Sequence, residues 1–225
     1  MEKKKVVCLI SGGIDSTTAA ATLKHEGWGV YGLTMNYGQI GKKECEAAKR
    51  VCEKLGIPLT YLDLTDLQKV MQSSSLVNPA IVMTETFTAP IIVPNRNSIM
   101  LSIAIAFAYS IGADAVSYGA HLSDRRDYPD CRKEFIETFL AAERLATERD
   151  IKFLAPNIGI LKSDVVKMAK HLGVPIGLTW SCYKDGEKHC GRCESCNNRK
   201  KAFQEAGIKD PVKYEVSISA GKGRA

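Results

Sequence analysis

The chain lacks a long hydrophobic run and a block of like charges, and each absence excludes a class of protein. Its longest apolar run, residues 99–111, is too short to span a bilayer and contains two serines and a tyrosine. The apolar stretch at residues 6–10 is too short for the core of a signal peptide. The net charge of +6 is spread along the chain, so no basic arm for nucleic acid stands out. We therefore expect a cytoplasmic protein that neither enters a membrane nor stably binds nucleic acid.

Internal repeats and low-complexity tracts are also missing, and strand-like segments alternate with helix-like ones. Such alternation predicts parallel β-α-β units, hence an α/β fold with a doubly wound, mainly parallel sheet covered on both faces. Ligands of such sheets bind beyond the carboxyl ends of the strands. The loop at residues 73–94 shows no periodicity, and loops of that length are usually functional or disordered. We predict strands at residues 5–10, 29–35, 59–64, 114–118 and 152–154, and helices at residues 14–26, 41–55, 96–111, 130–149 and 162–171.

A glycine-rich hexapeptide follows the first predicted strand and opens the first helix. Gly12 and Gly13 let the backbone turn tightly so that its N–H groups can face an anion, and Ser11 and Ser16 add hydroxyl donors. Asp15 suits a phosphate site only together with a divalent cation such as Mg²⁺, which a carboxylate helps to hold. The plainer alternative is a strand-to-helix turn with serine as the N-cap. The full hexapeptide in this context favours phosphate binding.

The hexapeptide differs from two familiar nucleotide-binding loops. No Gly-Lys-Ser/Thr closes it as in a Walker A loop, and its glycine spacing is not that of the Rossmann fingerprint. It matches instead the Ser-Gly-Gly-x-Asp-Ser signature of the PP-loop enzymes, which cleave ATP between the α- and β-phosphates. That similarity implies an enzyme that binds ATP, adenylates a substrate and releases pyrophosphate.

Four cysteines lie near the C-terminus in the spacing C-x7-C-x2-C-x2-C: Cys182, Cys190, Cys193 and Cys196. Cytosolic cysteines are normally reduced, so such a cluster indicates a metal before it indicates disulfides. Four thiolates would close the shell of one tetrahedral Zn²⁺ and leave no position for a reactive water, which predicts one structural zinc per chain. An iron–sulfur cluster and a redox dithiol are the alternatives, and His189 could replace one ligand. We predict a PP-loop domain over residues 1–175, a zinc element over 176–215 and a flexible tail over 216–225.

Charged residues at two further predicted helix starts admit a functional and a plain interpretation. Arg96 and Asn97 could hold an anionic or planar polar substrate, or Asn95 and Asn97 could simply cap the helix. Lys162 would contact the phosphates of ATP if its helix points at the glycine-rich loop, and would otherwise face solvent. The dense charges of residues 124–132, taken alone, are typical of a solvated loop.

Taken together, the motifs resemble those of the 7-cyano-7-deazaguanine synthase family, which belongs to the PP-loop ATP pyrophosphatases. The resemblance spans roughly residues 5–215 and is specific, because several motifs outside the shared phosphate loop agree. In chain order these motifs are residues 11–16, Tyr37-Gly38-Gln39, residues 93–97, Tyr128-Pro129-Asp130-Cys131-Arg132, residues 179–183, the cysteines at 190–196, Asp210-Pro211 and Tyr214.

The resemblance implies an ATP-dependent ligase of queuosine or archaeosine precursor synthesis. Its substrates would be 7-carboxy-7-deazaguanine, ATP and ammonia. One ATP adenylates the carboxylate, ammonia gives the amide, and a second ATP activates the amide for dehydration to the nitrile. A homodimer with zinc on the four cysteines is expected.

The hexapeptide and the resemblance together assign site residues. Asp15, Lys162 and Asp130 are the expected catalytic residues, and Lys162 follows the late strand as in the family. The expected ATP-binding residues are Ser11, Gly12, Gly13, Asp15, Ser16 and Met35. The expected substrate-binding residues are Tyr37, Gln39, Arg96, Asn97, Asp124, Tyr128 and Asp130.

Two positions depart from the family pattern. Ile40-Gly41 stand where family members commonly carry Arg-His, and Arg126-Asp127 replace Ser-Gly before Tyr-Pro-Asp-Cys. Both loops are expected to border the substrate. The motifs for adenylation are intact, whereas these two changes bear on which amine is the acceptor and what the product is. The alternative is a related enzyme that stops at an amide conjugate, with the amine supplied by a partner protein. An RNA-modifying PP-loop enzyme would need an RNA-binding extension or a catalytic cysteine pair near the loop, and neither stands out in the sequence. A non-enzymatic zinc module would leave the phosphate loop unused.

Overall fold

The computed structural model describes residues 3–215, and the tail predicted over residues 216–225 lies outside them. Within the described range, five parallel strands form one sheet in the order β3-β2-β1-β4-β5. This order confirms the predicted doubly wound parallel sheet. The strands are β1 (Lys5–Leu9), β2 (Gly29–Asn36), β3 (Leu59–Asp63), β4 (Ala115–Ser117) and β5 (Lys152–Leu154).

Helices connect the strands and cover both faces of the sheet. β1 shows how: Val6 and Cys8 pack with one group of helices, and Val7, which points to the other face, packs with another. A strand buried on both faces therefore reads as a continuous apolar run rather than an alternating one. The helices are α1 (Ile14–His25), α2 (Lys43–Leu55), α3 (Arg96–Ser110), the single turn α4 (Asp124–Asp127), α5 (Lys133–Thr147), α6 (Lys162–His171) and α7 (Glu194–Ala206).

The segment Ala89–Ser110, which contains α3, is long and apolar enough by length and composition alone to cross a bilayer, with a mean hydropathy of 1.4. Core helices of globular proteins pass the same test. Here Ala104, Ile105 and Ala108 of α3 are buried against β1 and β4 in the central core. The apolar character of α3 is therefore explained by its position in the fold.

Two helices differ from their prediction. The helix expected from residue 130 begins at Lys133, because Pro129 opens a separate 3-10 turn, Pro129–Cys131. α7 follows the last predicted helix and was not among the expected elements. Its apolar periodicity is weak, since the fully buried position 199 carries an arginine.

Helices on both sides of the domain boundary predicted at residue 175 share one core cluster. Ile14 and Ala21 of α1, Val166 of α6 and Phe203 of α7 pack together there. The cysteine-bearing segment therefore extends the main core, and the boundary itself remains a prediction.

Candidate active site

A cavity of about 290 Å³ lies beyond the carboxyl ends of β1, β2 and β4. Chain order along the sheet reverses between β1 and β4, and ligands of open α/β sheets bind at such a switch point. Leu33 and Met35 of β2 line the cavity, and Leu76 and Ile91 close it on another side. The loop at residues 73–94 thus forms part of the cavity wall.

The glycine-rich loop lies at one end of the cavity, between β1 and α1. Gly12 has a φ of 86°, and a Cβ at this position would come within 2.3 Å of the Glu44 carbonyl oxygen, so only glycine fits. The Ser11 N–H donates to Ser16 Oγ at 3.2 Å, which braces the loop. Gly13 is the N-cap of α1 and no side chain caps the helix, which removes the alternative of a serine-capped turn.

Asp15 is at the centre of a largely buried group of charges behind the loop. Lys162 Nζ lies 2.9 Å from Asp15 Oδ2, and His121 Nε2 lies 3.9 Å from Oδ1. Burial raises the pKa of Asp15, but the charge of Lys162 and its hydrogen bond to the carboxylate outweigh this effect and leave the pKa below its usual value. Burial lowers the pKa of Lys162, but attraction to Asp15 and Asp124 raises it overall. Both members of the Asp15–Lys162 pair are therefore charged at neutral pH.

His121 and Asn157 complete this group, and sequence reasoning did not single out either. His121 Nε2 lies 3.3 Å from Asp124 Oδ1, and its backbone N–H donates to Asp124 Oδ2 at 3.0 Å. Burial lowers the pKa of His121, so its ring is neutral at neutral pH. Asn157 donates from Nδ2 to the Asp15 carbonyl oxygen at 2.8 Å. The only signal for His121 was its position in the charged loop after β4, and Asn157 stands in no motif.

The oxygen atoms of this group suit a divalent cation. Asp15 Oδ1 and Asn157 Oδ1 are buried and have no hydrogen-bond partner within residues 3–215. The Asp124 carboxylate also lines the cavity, and burial raises its pKa. Mg²⁺ prefers oxygen ligands, commonly one or two carboxylates together with phosphate oxygens. The donor set therefore fits Mg²⁺ bound with a nucleotide.

The far end of the cavity carries aromatic side chains and one arginine. Arg96 Nη1 donates to Tyr37 Oη at 3.2 Å, which holds the guanidinium at the cavity wall. Gln39 Oε1 accepts the Tyr37 N–H at 2.9 Å, so Gln39 also shapes the turn after β2. Tyr128 and Tyr183 line the same end. Flat apolar surfaces beside a fixed cation suit a planar ring with polar edges.

The start of α3 is not capped by its asparagines. Asn95 occupies the N-cap position with a φ of 59°, and no side chain caps the helix. Asn97 Nδ2 instead donates to Cys131 Sγ at 3.8 Å, across the cavity wall. The capping alternative for this segment is therefore removed, and Asn97 faces the site.

The structure separates the expected site residues into two sets. Lys162 does not line the cavity itself but forms an ion pair with Asp15, which does. Asp130 also lies outside the lining, and its negative charge raises the pKa of Arg96. Among described residues, the expected ones that line the cavity are Ser11, Asp15, Ser16, Met35, Tyr37, Gln39, Arg96, Asn97, Asp124 and Tyr128, and those that do not are Gly12, Gly13, Asp130 and Lys162. Lining residues that were not among the expected site residues include Glu44, Tyr118, Gly119 and Tyr183.

The residues of the two departures from the family pattern lie outside the described cavity lining, although their neighbours Gln39 and Tyr128 in the same loops line it. The Ile40 N–H donates to the Leu76 carbonyl oxygen at 2.9 Å. Arg126 Nε pairs with the Asp127 carboxylate at 3.0 Å, and the Arg126 side chain is 85% exposed. The substituted side chains therefore do not themselves line the cavity.

The four cysteines predicted as metal ligands meet at one point. Their Sγ atoms all lie within 4.8 Å of one another and all four residues are buried. A tetrahedral Zn²⁺ with bonds of about 2.3 Å needs sulfur atoms about 3.8 Å apart, and Cys190 Sγ lies 3.9 Å from Cys196 Sγ. His189 Nε2 accepts the Ser181 N–H at 3.1 Å, so His189 is not a substitute ligand. The thiol set fits one metal ion.

The cysteine cluster also supports the glycine-rich loop. The Trp180 N–H donates to the Gly12 carbonyl oxygen at 2.9 Å, and Trp180 Nε1 donates to the Cys182 carbonyl oxygen at 2.8 Å. Tyr183, the residue after Cys182, lines the cavity. The segment at residues 180–183 thus connects the cysteine cluster to the glycine-rich loop and to the cavity wall.

Comparison with known proteins agrees with this geometry. The family model described as Queuosine biosynthesis protein QueC matches residues 5–207. The chain is 40% identical over 218 residues to the 7-cyano-7-deazaguanine synthase of Caldicellulosiruptor bescii, covering 95% of this chain and 99% of the relative. It is 39% identical over 217 residues to that of Marinomonas sp., with 95% and 99% covered.

Solved structures share the fold at low sequence identity. NMN synthetase from Francisella tularensis matches with a TM-score of 0.55 at 16% identity, over 96% of this chain and 79% of that one. A predicted subunit of tRNA methyltransferase from Methanocaldococcus jannaschii matches with a TM-score of 0.52 at 20% identity, over 75% and 76%. These likenesses concern the fold alone, whereas the family match and the relatives cover nearly the whole chain. The chain therefore belongs to the QueC family of queuosine biosynthesis proteins, together with the 7-cyano-7-deazaguanine synthases.

Proposed function

We propose that the chain is an ATP-dependent ligase that converts 7-carboxy-7-deazaguanine and ammonia into 7-cyano-7-deazaguanine, with release of AMP and pyrophosphate. One observation carries the proposal: a PP-type loop and the charged Asp15–Lys162 pair lie at the switch point of the sheet, at one end of the cavity, in a chain of this family. The relatives named above carry this activity in their names.

The reaction needs two activations. A carboxylate is a poor electrophile, so one of its oxygens first attacks the α-phosphorus of ATP and pyrophosphate leaves. Ammonia then adds to the acyl adenylate, loses a proton and displaces AMP, which gives the amide. A second ATP adenylates the amide oxygen as one N–H proton departs. Loss of AMP with the remaining N–H proton gives the nitrile.

Residues at the loop end of the cavity would act on the phosphates. With ATP bound, Lys162 would bind phosphate oxygens, and Asp15 would hold Mg²⁺ together with Asp124. When bound, Mg²⁺ neutralises charge on the departing pyrophosphate. Lys162 Nζ and Asp15 Oδ2 lie 2.9 Å apart. On ligand binding, this ion pair would be replaced by contacts of Lys162 with phosphate and of Asp15 with Mg²⁺. Met35 at the end of β2 would contact the nucleotide base.

Residues at the far end would hold the deazaguanine. Arg96, fixed by Tyr37, would bind a polar edge of the ring, and Tyr128 would cover a ring face. Asn97 and Gln39 would complete the pocket. Asp130 would act indirectly, through its electrostatic effect on Arg96.

Three further assignments belong to the proposal. The cysteine cluster would hold one structural Zn²⁺, because four buried thiols leave no position open for chemistry. The protein would work as a cytoplasmic homodimer. The amide-conjugating alternative gains no support from the two departures, since none of their residues lines the cavity.

Mass spectrometry of the product tests the proposal directly. The protein is incubated with 7-carboxy-7-deazaguanine, ATP, Mg²⁺ and ammonium, and the nucleotide products are separated by chromatography. We expect 7-cyano-7-deazaguanine with AMP and pyrophosphate. ADP and phosphate as the main nucleotide products, or no product mass from this substrate, would rule the proposal out.

A further inference from the structure

Glu44 is an acid in the cavity that the proposed chemistry leaves unused. It is the second residue of α2 and lines the cavity, and its backbone carbonyl oxygen packs against Gly12 of the glycine-rich loop. The charges that act on Glu44 are those of Arg96 and Asp185, whereas Lys162, His121 and Arg199 act on Asp15. Glu44 therefore stands apart from the Asp15 group that would hold Mg²⁺.

The Glu44 carboxylate has no committed partner. Burial raises its pKa to about 7, and although Arg96 lowers that pKa and Asp185 raises it, no hydrogen bond from another described residue contributes. Asp185, the nearby acid, is itself engaged, since its Oδ1 accepts the Lys43 N–H at 2.9 Å. A desolvated carboxylate without donors costs free energy, which a ligand that supplies donors would recover.

The proposed substrate carries such donors. A guanine-type ring presents an N1–H and a 2-amino group side by side, next to the O6 acceptor. An ionised carboxylate is an acceptor with two oxygens and can bind two neighbouring donors at once. Arg96 carries only donors and suits O6. The order acceptor, donor, donor along the ring edge matches a guanidinium beside a carboxylate.

We infer that Glu44 determines specificity for the ring by accepting hydrogen bonds from its N1–H and 2-amino groups, while Arg96 donates to O6. The inference rests on the proposed function. Two observations support this placement. Arg96 donates a hydrogen bond to Tyr37 Oη at 3.2 Å, which holds it at the cavity wall. Electrostatic attraction between Arg96 and Glu44 raises the pKa of Arg96 and lowers that of Glu44. Among the described lining residues, Glu44 is the acid that lies outside the Asp15 group, and it interacts electrostatically with Tyr37 and Arg96.

An analogue that lacks the 2-amino group, 7-carboxy-7-deazahypoxanthine, tests the inference on the wild-type protein. We expect kcat/KM for adenylation to fall by at least about 10-fold relative to the full substrate, because a half-buried carboxylate in the cavity wall would lose a charge-assisted donor. Glu44→Gln should lower kcat/KM for the full substrate by roughly 10- to 100-fold and shrink the discrimination between the two substrates. Its KM for ATP should not change. Glu44→Asp should keep more of the discrimination than Glu44→Gln.

Glu46→Gln is the matched control, because Glu46 is an exposed acid on the same helix. It should leave both substrates as in the wild type. Equal kcat/KM for the two substrates in the wild type, unchanged discrimination in Glu44→Gln, or an effect confined to the KM for ammonium would each overturn the inference. The analogue comparison needs no variant, so a folding defect in Glu44→Gln would not obscure it. Failure of the wild type to adenylate the full substrate would instead contradict the proposed function.

Discussion

The glycine-rich loop and the cysteine cluster are neighbours in the structure but are built in opposite ways. Behind the loop, Asp15 Oδ1 and Asn157 Oδ1 are buried without a hydrogen-bond partner among residues 3–215. In the cluster the thiols are surrounded by donors: the N–H groups of Lys184 and Cys190 both lie 3.3 Å from Cys182 Sγ. A site with unsatisfied atoms suits ligands that come and go, and a closed site suits a permanent ion.

This difference predicts that substitutions at the two regions will separate activity from stability. The regions touch through the Trp180 N–H and the Gly12 carbonyl oxygen, 2.9 Å apart. The separation should therefore be large without being complete. The predictions below would break or sharpen it, beginning with the largest expected effect.

Removal of the Asp15 charge should give the largest loss of activity. Asp15→Asn should lower kcat by about 100- to 1,000-fold, the range for loss of a group that acts on developing charge, while the protein stays folded by circular dichroism. Lys162→Met should behave similarly. AMP and pyrophosphate release is the measurement. Asp66→Asn, at an exposed acid paired with Lys69, is the control and should have no effect. Full activity of Asp15→Asn would show that the loop end is not the site of phosphate chemistry.

Removal of a thiol should give the opposite result. Cys190→Ser should reduce the metal content from about one zinc per chain and lower the free energy of unfolding by several kcal/mol, since a closed metal site contributes to folding. The kcat of the folded fraction should change little. Metal analysis and urea denaturation are the measurements. Cys52→Ala, at a buried cysteine outside the cluster, should keep the metal. Iron with sulfide, or a folded active protein free of metal, would contradict the assignment.

A buried ion pair near the cluster gives a third effect, which is mainly on stability. Arg199 is fully buried and donates from Nε and Nη2 to the Asp210 carboxylate at 2.8 and 3.0 Å. Arg199→Met should lower the free energy of unfolding by about 3–5 kcal/mol, because it leaves a buried carboxylate unpaired. Arg144→Met, which breaks an exposed pair with Asp150, should cost less than about 1 kcal/mol. Similar losses in the two variants would show that burial does not set the effect.

The smallest effect is a dependence on pH. Burial raises the pKa of Asp210, but its hydrogen bonds and charge attraction to Arg199 outweigh this and leave the pKa below the ordinary value of 3.8. The stabilisation from Asp210 is therefore present above pH 3.8 and is lost as the pH falls through the lower, folded-state pKa. The difference in stability between the wild type and Asp210→Asn should be constant from about pH 5 to 8 and shrink below about pH 4. Urea midpoints across this range would show it, and a difference that stays constant in acid would contradict it.

Local motifs were the part of the site that the sequence could predict. The glycine-rich loop follows a strand and opens a helix, and the cysteines lie within fifteen residues, so both patterns carry their own geometry. His121, Asn157 and Glu44 lie at the site because segments far apart in the sequence come together at the switch point of the sheet. No short sequence motif predicts these long-range contacts.

The fold shows the same division. Apolar runs and their glycine or proline ends predicted the five strands and five of the helices to within a few residues. α7 was missed because its buried face is built around Arg199, whose partners Thr179 and Asp210 come from elsewhere in the chain. A polar face of that kind is recognised only once its partners are in place.

The count of AMP released per molecule of product tests the central claim most directly. With ammonium and ATP in excess, the account predicts two AMP for each molecule of free 7-cyano-7-deazaguanine, since the carboxylate and the amide are each adenylated once. One AMP per product, with the amide or an amide conjugate as the end point and no nitrile, would contradict it.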